Sequence, residues 1–144
     1  MRNKVHILEV ENNETQSVER ILKKIRENKI IYIKNKSFEN EDILDQINEN
    51  GPAIILNSSG SSGKPRKCIH HLDNLKLSAA TSGQWLKDQG FELQNCLIYN
   101  TLPLNHISGL MPVIRSQDWG CDYINISPTL IKNPKELLLF TIKS

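Results

Sequence analysis

Residues 54–66 read ILNSSGSSGKPRK, an apolar stretch that runs into two Ser-Ser-Gly units and a basic tail. Hydroxyls, glycines and cations gathered so closely are what an anion site requires. The same composition also describes a flexible tether between domains. The hydroxyls of Ser58, Ser59, Ser61 and Ser62, with the amide of Asn57, could surround phosphate oxygens. Gly60 and Gly63 permit positive φ and close approach of backbone to a ligand. Lys64, Arg66 and Lys67 add positive charge at the exit. Two familiar phosphate loops do not fit. The ATPase pattern G-x-x-x-x-G-K-[ST] fails because only two residues separate Gly60 from Gly63, and Pro65 rather than a hydroxyl follows Lys64. A dinucleotide-binding G-x-G-x-x-G is absent.

A second segment with chemical potential is LPLNHISGL, residues 102–110, which carries His106. A single histidine reads more readily as a loop or core residue than as a functional one, and His70 and His71 read as capping or packing beside the next helix. Trp85 and Trp119 occupy helix positions where core packing is the expected role. Cys68, Cys96 and Cys121 are dispersed and form no C-x-x-C pair, so neither a metal site nor a disulfide framework is read.

Periodicity supplies the elements that must hold these segments. Residues 17–28 place Val18, Ile21, Leu22 and Ile25 on one helical face, and the β-branched run at 30–34 reads as a strand. Residues 40–50 carry a stripe of Ile43, Leu44 and Ile47 that ends at Gly51-Pro52. The run AIILN (53–57) is apolar without alternation, as in a buried strand, so the Ser/Gly segment starts from a rigid support. A helix is expected from about Asp73 to Lys87, capped by Asp73 or Asn74, with Leu75, Ser78, Ala79, Ser82, Trp85 and Leu86 on one side. Strands follow at 96–100 and 121–126. Between them a helix should begin near 109–111, because Pro112 suits a first turn. Asn133, Pro134 and Glu136 form a helix-start signal. The alternation from 53 to 126 implies an α/β fold with a largely parallel sheet, flanking helices and both unusual loops on one rim.

At 144 residues the chain is expected to form one domain. A formal charge of +2 is too small to argue for nucleic acid or a membrane surface as partner. The N-terminal apolar run is broken by Glu9, which argues against a signal peptide, and the runs AIIL and LLLF are far short of a membrane span. An odd number of scattered thiols suits a reducing, cytoplasmic setting.

The run SSGSSGKPRK resembles the phosphate-binding signature T-S-G-[ST]-T-G-x-P-K-G of the adenylate-forming superfamily, which includes acyl-CoA synthetases, luciferases and peptide-synthetase adenylation domains. Ser58, Ser59, Gly60, Ser61, Ser62, Gly63 and Pro65 match it in identity or hydroxyl type; Arg66 stands where Lys is usual, and Lys67 where Gly is usual. The downstream HHLDNL is similar to the family's histidine-containing entry to the next helix. LPLNHISGL resembles the family's P-L-[FYH]-H-x-x-G segment, with His106 on the histidine and Asn105 replacing an aromatic. Its wording is most similar to that of o-succinylbenzoate–CoA ligases of menaquinone and phylloquinone synthesis.

The resemblance implies a two-step reaction: a small-molecule carboxylic acid attacks the α-phosphorus of ATP, and coenzyme A then displaces AMP, with Mg2+ sharing the phosphate charge. It assigns Ser58, Ser59, Gly60, Ser61, Ser62, Gly63, Lys64 and Arg66 to the phosphates, and His106 to the acyl and adenylate site. It covers roughly residues 53–126 and implies one partial adenylation domain over 1–144. The Tyr-Gly-x-Thr-Glu segment, the ribose-binding aspartate motif and the C-terminal domain with its catalytic lysine are not found in this sequence. Micromolar ATP binding requires about 8 kcal/mol. Charge-assisted hydrogen bonds contribute roughly 1.5–3 kcal/mol each, and ordering a glycine-rich loop opposes them by ~1–2 kcal/mol per residue. The expectation is therefore weak, millimolar nucleotide binding by this chain alone. Two other readings stand beside the ligase: a non-catalytic phosphate-binding module, and an inactive α/β remnant.

Overall fold

The computed structural model describes residues 4–11, 15–36, 47, 49–58, 63 and 65–143. Four strands, β1 (Val5–Val10), β2 (Ile30–Asn35), β3 (Ala53–Asn57) and β4 (Lys67–His71), form a sheet in the order β1-β2-β3-β4. β1–β2 and β2–β3 are parallel, and β3–β4 is antiparallel. β2 and β3 are buried along almost their whole length, as a continuous apolar run should be when both faces of a sheet are covered. One face, with Leu8, Val10, Ile31, Ile33, Ile54 and Leu56, packs into the main core; Ile30, Tyr32 and Ile55 project from the other, against Val5 and Ile47.

The helix α1 (Thr15–Arg26) lays Val18, Ile21 and Ile25 on the main core as its 3.6-residue period requires. The helices α2 (Leu72–Asp88) and α3 (Ile107–Trp119) pack on each other and complete that core. A second, two-stranded sheet pairs β5 (Leu97–Asn100) in parallel with β6 (Asp122–Asn125). The short α4 (Pro128–Ile131) and α5 (Pro134–Lys143) follow. Asn133 begins α5 as its residues foretell, its Oδ1 accepting from the N–H of Glu136 at 3.4 Å. Among the described residues no helix is long and apolar enough to cross a membrane.

The N-terminal run, to which periodicity assigned no element, is strand β1: Leu8 and Val10 alternate inward, while Glu9 points out and meets the ammonium of Lys34 at 3.4 Å. Several expectations are corrected. β4 fills the space expected to be mere entry to α2, and α2 starts at Leu72 with His71 as its N-cap, so Asp73 lies in the first turn. The buried stripe of α2 is Leu72, Leu75, Ala79 and Gly83. Ser78 is exposed, and Trp85 is 62% exposed because it stands two residues, about 200°, around the helix from Gly83. The stripe is set by α3: Trp119 Nε1 donates to the Ala79 carbonyl at 2.8 Å, and a Cβ on Gly83 would lie 2.6 Å from that nitrogen. Pro112 lies inside α3 rather than in its first turn, and its ring leaves the Ser108 carbonyl without the usual i+4 donor. The stripe expected at Ile43 and Leu44 falls outside the described residues; Ile47 packs beneath the sheet.

Candidate functional site

The Ser/Gly segment is the loop of a β-hairpin. β3 and β4 pair from Ala53↔His71 to Asn57↔Lys67, and the next pair closes the loop. The Ser58 N–H donates to the Arg66 carbonyl at 2.7 Å, and the Arg66 N–H donates back to Ser58 Oγ at 3.2 Å. Residues 58–66 are therefore fastened at both ends, which a free tether is not. Gly63 has φ +79°, a conformation that glycine adopts without steric penalty. Ser59, Gly60, Ser61, Ser62 and Lys64 lie outside the described residues. Arg66 is exposed at the rim of the closing pair.

The base of the hairpin is braced from below. In an antiparallel ladder paired residues project to the same face, so Asn57 and Lys67 stand side by side on the face that carries Tyr32 and Ile55. Asn57 Nδ2 lies 2.9 Å from the Tyr32 hydroxyl. That amide, expected as a phosphate donor, is thus engaged with the sheet. The Lys67 ammonium lies 5.3 Å over the centroid of the Tyr32 ring.

The histidine segment joins β5 to α3. Leu104 is fully buried in the main core, and Asn105 is buried with its Oδ1 unpartnered. The His106 N–H donates to the Pro103 carbonyl at 3.2 Å. As N-cap of α3, His106 offers its carbonyl to the N–H groups of Gly109 and Leu110 at 3.1 and 2.9 Å, which is why the helix begins earlier than Pro112 suggests. The half-exposed His106 side chain makes no capping bond. Gly109 explains the rest of the turn. A Cβ there would lie 2.0 Å from the Pro103 carbonyl oxygen, so only glycine lets the helix start so close to the loop.

Asn100 anchors this arrangement and was not singled out by sequence. It is 2% exposed at the end of β5. Its Nδ2 lies 2.8 Å from the Gly109 carbonyl and 2.7 Å from the Tyr123 hydroxyl, while its Oδ1 accepts from the Leu102 N–H at 3.1 Å. The Tyr123 hydroxyl donates in turn to Asn125 Oδ1 at 2.5 Å. Burial pushes the Tyr123 phenol above its ordinary range, partly offset by the bond from Asn100, so it remains a neutral donor. An asparagine closing a strand before a turn is the only local hint of this role.

The structure therefore joins Ser58 to Arg66, and keeps His106 on a separate turn with no hydrogen bond to the hairpin among the described residues. Parallel pairing does not set both loops on one rim, because β3 and β5 belong to different sheets and β3 pairs antiparallel with β4. What the two loops share is the core beneath them, through Leu56 and Leu104. No group of three or more histidine, cysteine or acidic side chains able to hold a metal occurs among the described residues.

An α/β unit of a mostly parallel sheet with flanking helices, bearing a hydroxyl-rich hairpin loop, has the fold of part of an adenylate-forming enzyme. The solved structures similar to it include o-succinylbenzoate CoA synthetase from Bacillus subtilis in several states. A double mutant of that enzyme bound with its product analogue OSB-NCoA is 17% identical, with a TM-score of 0.57 over 99% of this chain. Its complexes with the acyl-adenylate intermediate OSB-AMP and with AMP are each 18% identical, with TM-scores of 0.56. Residues 1–144 span 37% of the first of these chains and 47% of the other two. The sequence matches no family model and no curated protein.

Proposed function

We propose that this chain is the phosphate-holding part of an ATP-dependent acid–CoA ligase, with o-succinylbenzoate as the acid. The observation that carries the reading is the hairpin loop closed on itself by Ser58 and Arg66. In the first half-reaction a carboxylate oxygen bonds to the α-phosphorus of ATP, the bond to the bridging oxygen breaks, and pyrophosphate leaves with its electron pair. In the second, the thiol of coenzyme A gives its proton to solvent, its sulfur bonds to the acyl carbon, the bond from that carbon to the phosphate oxygen breaks, and AMP departs with the electron pair.

Both reactants of the first step are anions, so the site must gather positive charge and aim donors at the phosphates. In this reading Ser58 would offer a hydroxyl, Gly63 a backbone N–H and Arg66 a guanidinium suited to bidentate phosphate contacts. Ser59, Gly60, Ser61, Ser62 and Lys64 extend the same donor set in sequence. These residues fit a triphosphate. They fit Mg2+ less directly, since none is a carboxylate; the ion, which neutralises phosphate charge when bound, is characteristically carried by phosphate oxygens and water. His106, at the head of α3, would border the acyl and adenylate end.

Amide NMR titration with MgATP tests the assignment. Shifts concentrated on Asn57, Ser58, Gly63 and Arg66 with a millimolar constant are expected, and Gly63→Val should remove them. Shifts that bypass the hairpin refute the reading. Pyrophosphate release dependent on o-succinylbenzoate is expected only when the remainder of the ligase fold is supplied. A hairpin that binds phosphate yet supports no turnover in that setting would favour a non-catalytic binding module.

A further inference from the structure

We propose that the rim of the sheet opposite the hairpin carries a separate anion site, a pocket for one phosphate-sized oxyanion built by Lys4, His6, Asn28, Lys29, Asn50 and Gly51. β1, β2 and β3 run parallel with Val5, Ile30 and Ala53 in register, so the residues that lead into these strands meet at one edge. There they line a cavity of about 220 Å³. Pockets for larger organic ligands hold roughly 300–1,000 Å³, so this one suits a compact ion.

The cavity carries charge of one sign. None of its described lining residues is acidic. Lys24, near the end of α1, has Glu27 at 2.9 Å, whereas Lys4 and Lys29 have no carboxylate partner among the described residues. The His6 imidazole feels these cations together: its pKa is lowered first by burial and then by Lys24, Lys29 and Lys4, with Glu27 alone opposing. Cations gathered without a counter-charge repel one another, and a bound oxyanion relieves that repulsion.

The dipole of α1 does not account for the whole cluster. Lys23, Lys24 and Arg26 occupy its last turn, where cations answer the carbonyl end. Lys29 lies beyond that turn, and Lys4 precedes another element. The helix end is closed by backbone: the Asn28 N–H donates to the Ile25 carbonyl at 3.0 Å, and the Lys29 N–H to the Lys24 carbonyl at 3.2 Å. Asn28 has φ 54° there, a place that glycine usually fills. Asparagine brings to the cavity an amide donor that glycine lacks.

Sodium phosphate is titrated into the chain against sodium chloride at matched ionic strength, with amide and imidazole resonances followed by NMR. The expected result is movement of the Asn28, Lys29, Asn50 and Gly51 amides, with the His6 titration midpoint raised by about one pH unit, since a bound anion favours the imidazolium. Lys29→Gln leaves the backbone bonds that end α1 in place and should weaken binding about tenfold, the size of one charge-assisted hydrogen bond. Asn28→Gly installs the residue preferred at that φ, so stability in urea should hold or rise while phosphate affinity falls. Rim amides and a His6 midpoint that respond alike to phosphate and chloride would overturn the proposal, as would wild-type affinity in Lys29→Gln. Phosphate shifts confined to Gly63 and Arg66 would also overturn it, while leaving the hairpin reading intact.

Discussion

Replacing Gly109 by alanine perturbs the turn that presents His106 at a single atom. The new Cβ would stand 2.0 Å from the Pro103 carbonyl oxygen, 2.5 Å from its carbon and 2.7 Å from the Leu102 carbonyl oxygen. An ordinary non-bonded separation is about 3.5–4.0 Å, so the clash is with backbone and cannot be relieved by a rotamer. Either α3 or the 101–106 turn must move by more than an ångström. The helix interior favours alanine over glycine by about 1 kcal/mol. Overpacking typically costs about 1–3 kcal/mol and more where neighbours are rigid, and here Asn100 holds the Gly109 carbonyl while buried Leu104 holds the turn. We therefore expect a net loss of about 2 kcal/mol or more, or about 4–8 °C in Tm for a chain of this size. Urea denaturation followed by far-UV circular dichroism measures the stability, and the His106 imidazole resonances report on the turn. Gly120→Ala is the control: φ there is +66° but nothing lies within 4 Å of the added methyl, so only backbone strain of about 1 kcal/mol is expected. A Gly109→Ala chain as stable as the wild type, with His106 resonances unmoved, would refute the close approach as the reason for glycine.

Asn100→Ala removes three hydrogen-bonding contacts and leaves the Leu102 N–H without its acceptor and the Tyr123 hydroxyl without its donor. About 3 kcal/mol of stability should be lost, at roughly 1 kcal/mol per bond, and a loss below 1 kcal/mol in urea would contradict the network. His70 gives a pH prediction. Burial lowers its pKa below the ordinary imidazole value of about 6.5, so near that pH the unfolded chain binds more protons than the folded one. Stability should then fall as pH drops through the unfolded pKa toward the folded one, and be unaffected by this group above the unfolded value. His70→Gln should flatten that slope on the acid side of the ordinary imidazole value, and an unchanged slope would show the imidazole to be as well solvated folded as unfolded.

Elements written in local chemistry were legible in the residues. The face of α1 needed only Val18, Ile21 and Ile25 at helical spacing; β3 needed only an unbroken apolar run before glycines; α5 needed only Asn133, Pro134 and Glu136. The Ser/Gly loop stood out as the candidate anion site, since its hydroxyls, glycines and cations are contiguous. Tertiary structure decided what those signals omit. β4 carries no apolar alternation and exists because β3 offers it a ladder, which makes a segment expected to be mere entry to α2 the second arm of a hairpin. Trp85 faces water, and Gly83 is buried, because Trp119 on another helix selects the contact face. Asn100, Tyr32 and Gly109 matter through partners 9, 25 and about six residues away in the chain, respectively. Local periodicity carries no information about contacts between such separated residues, because they arise only when packing brings two elements together.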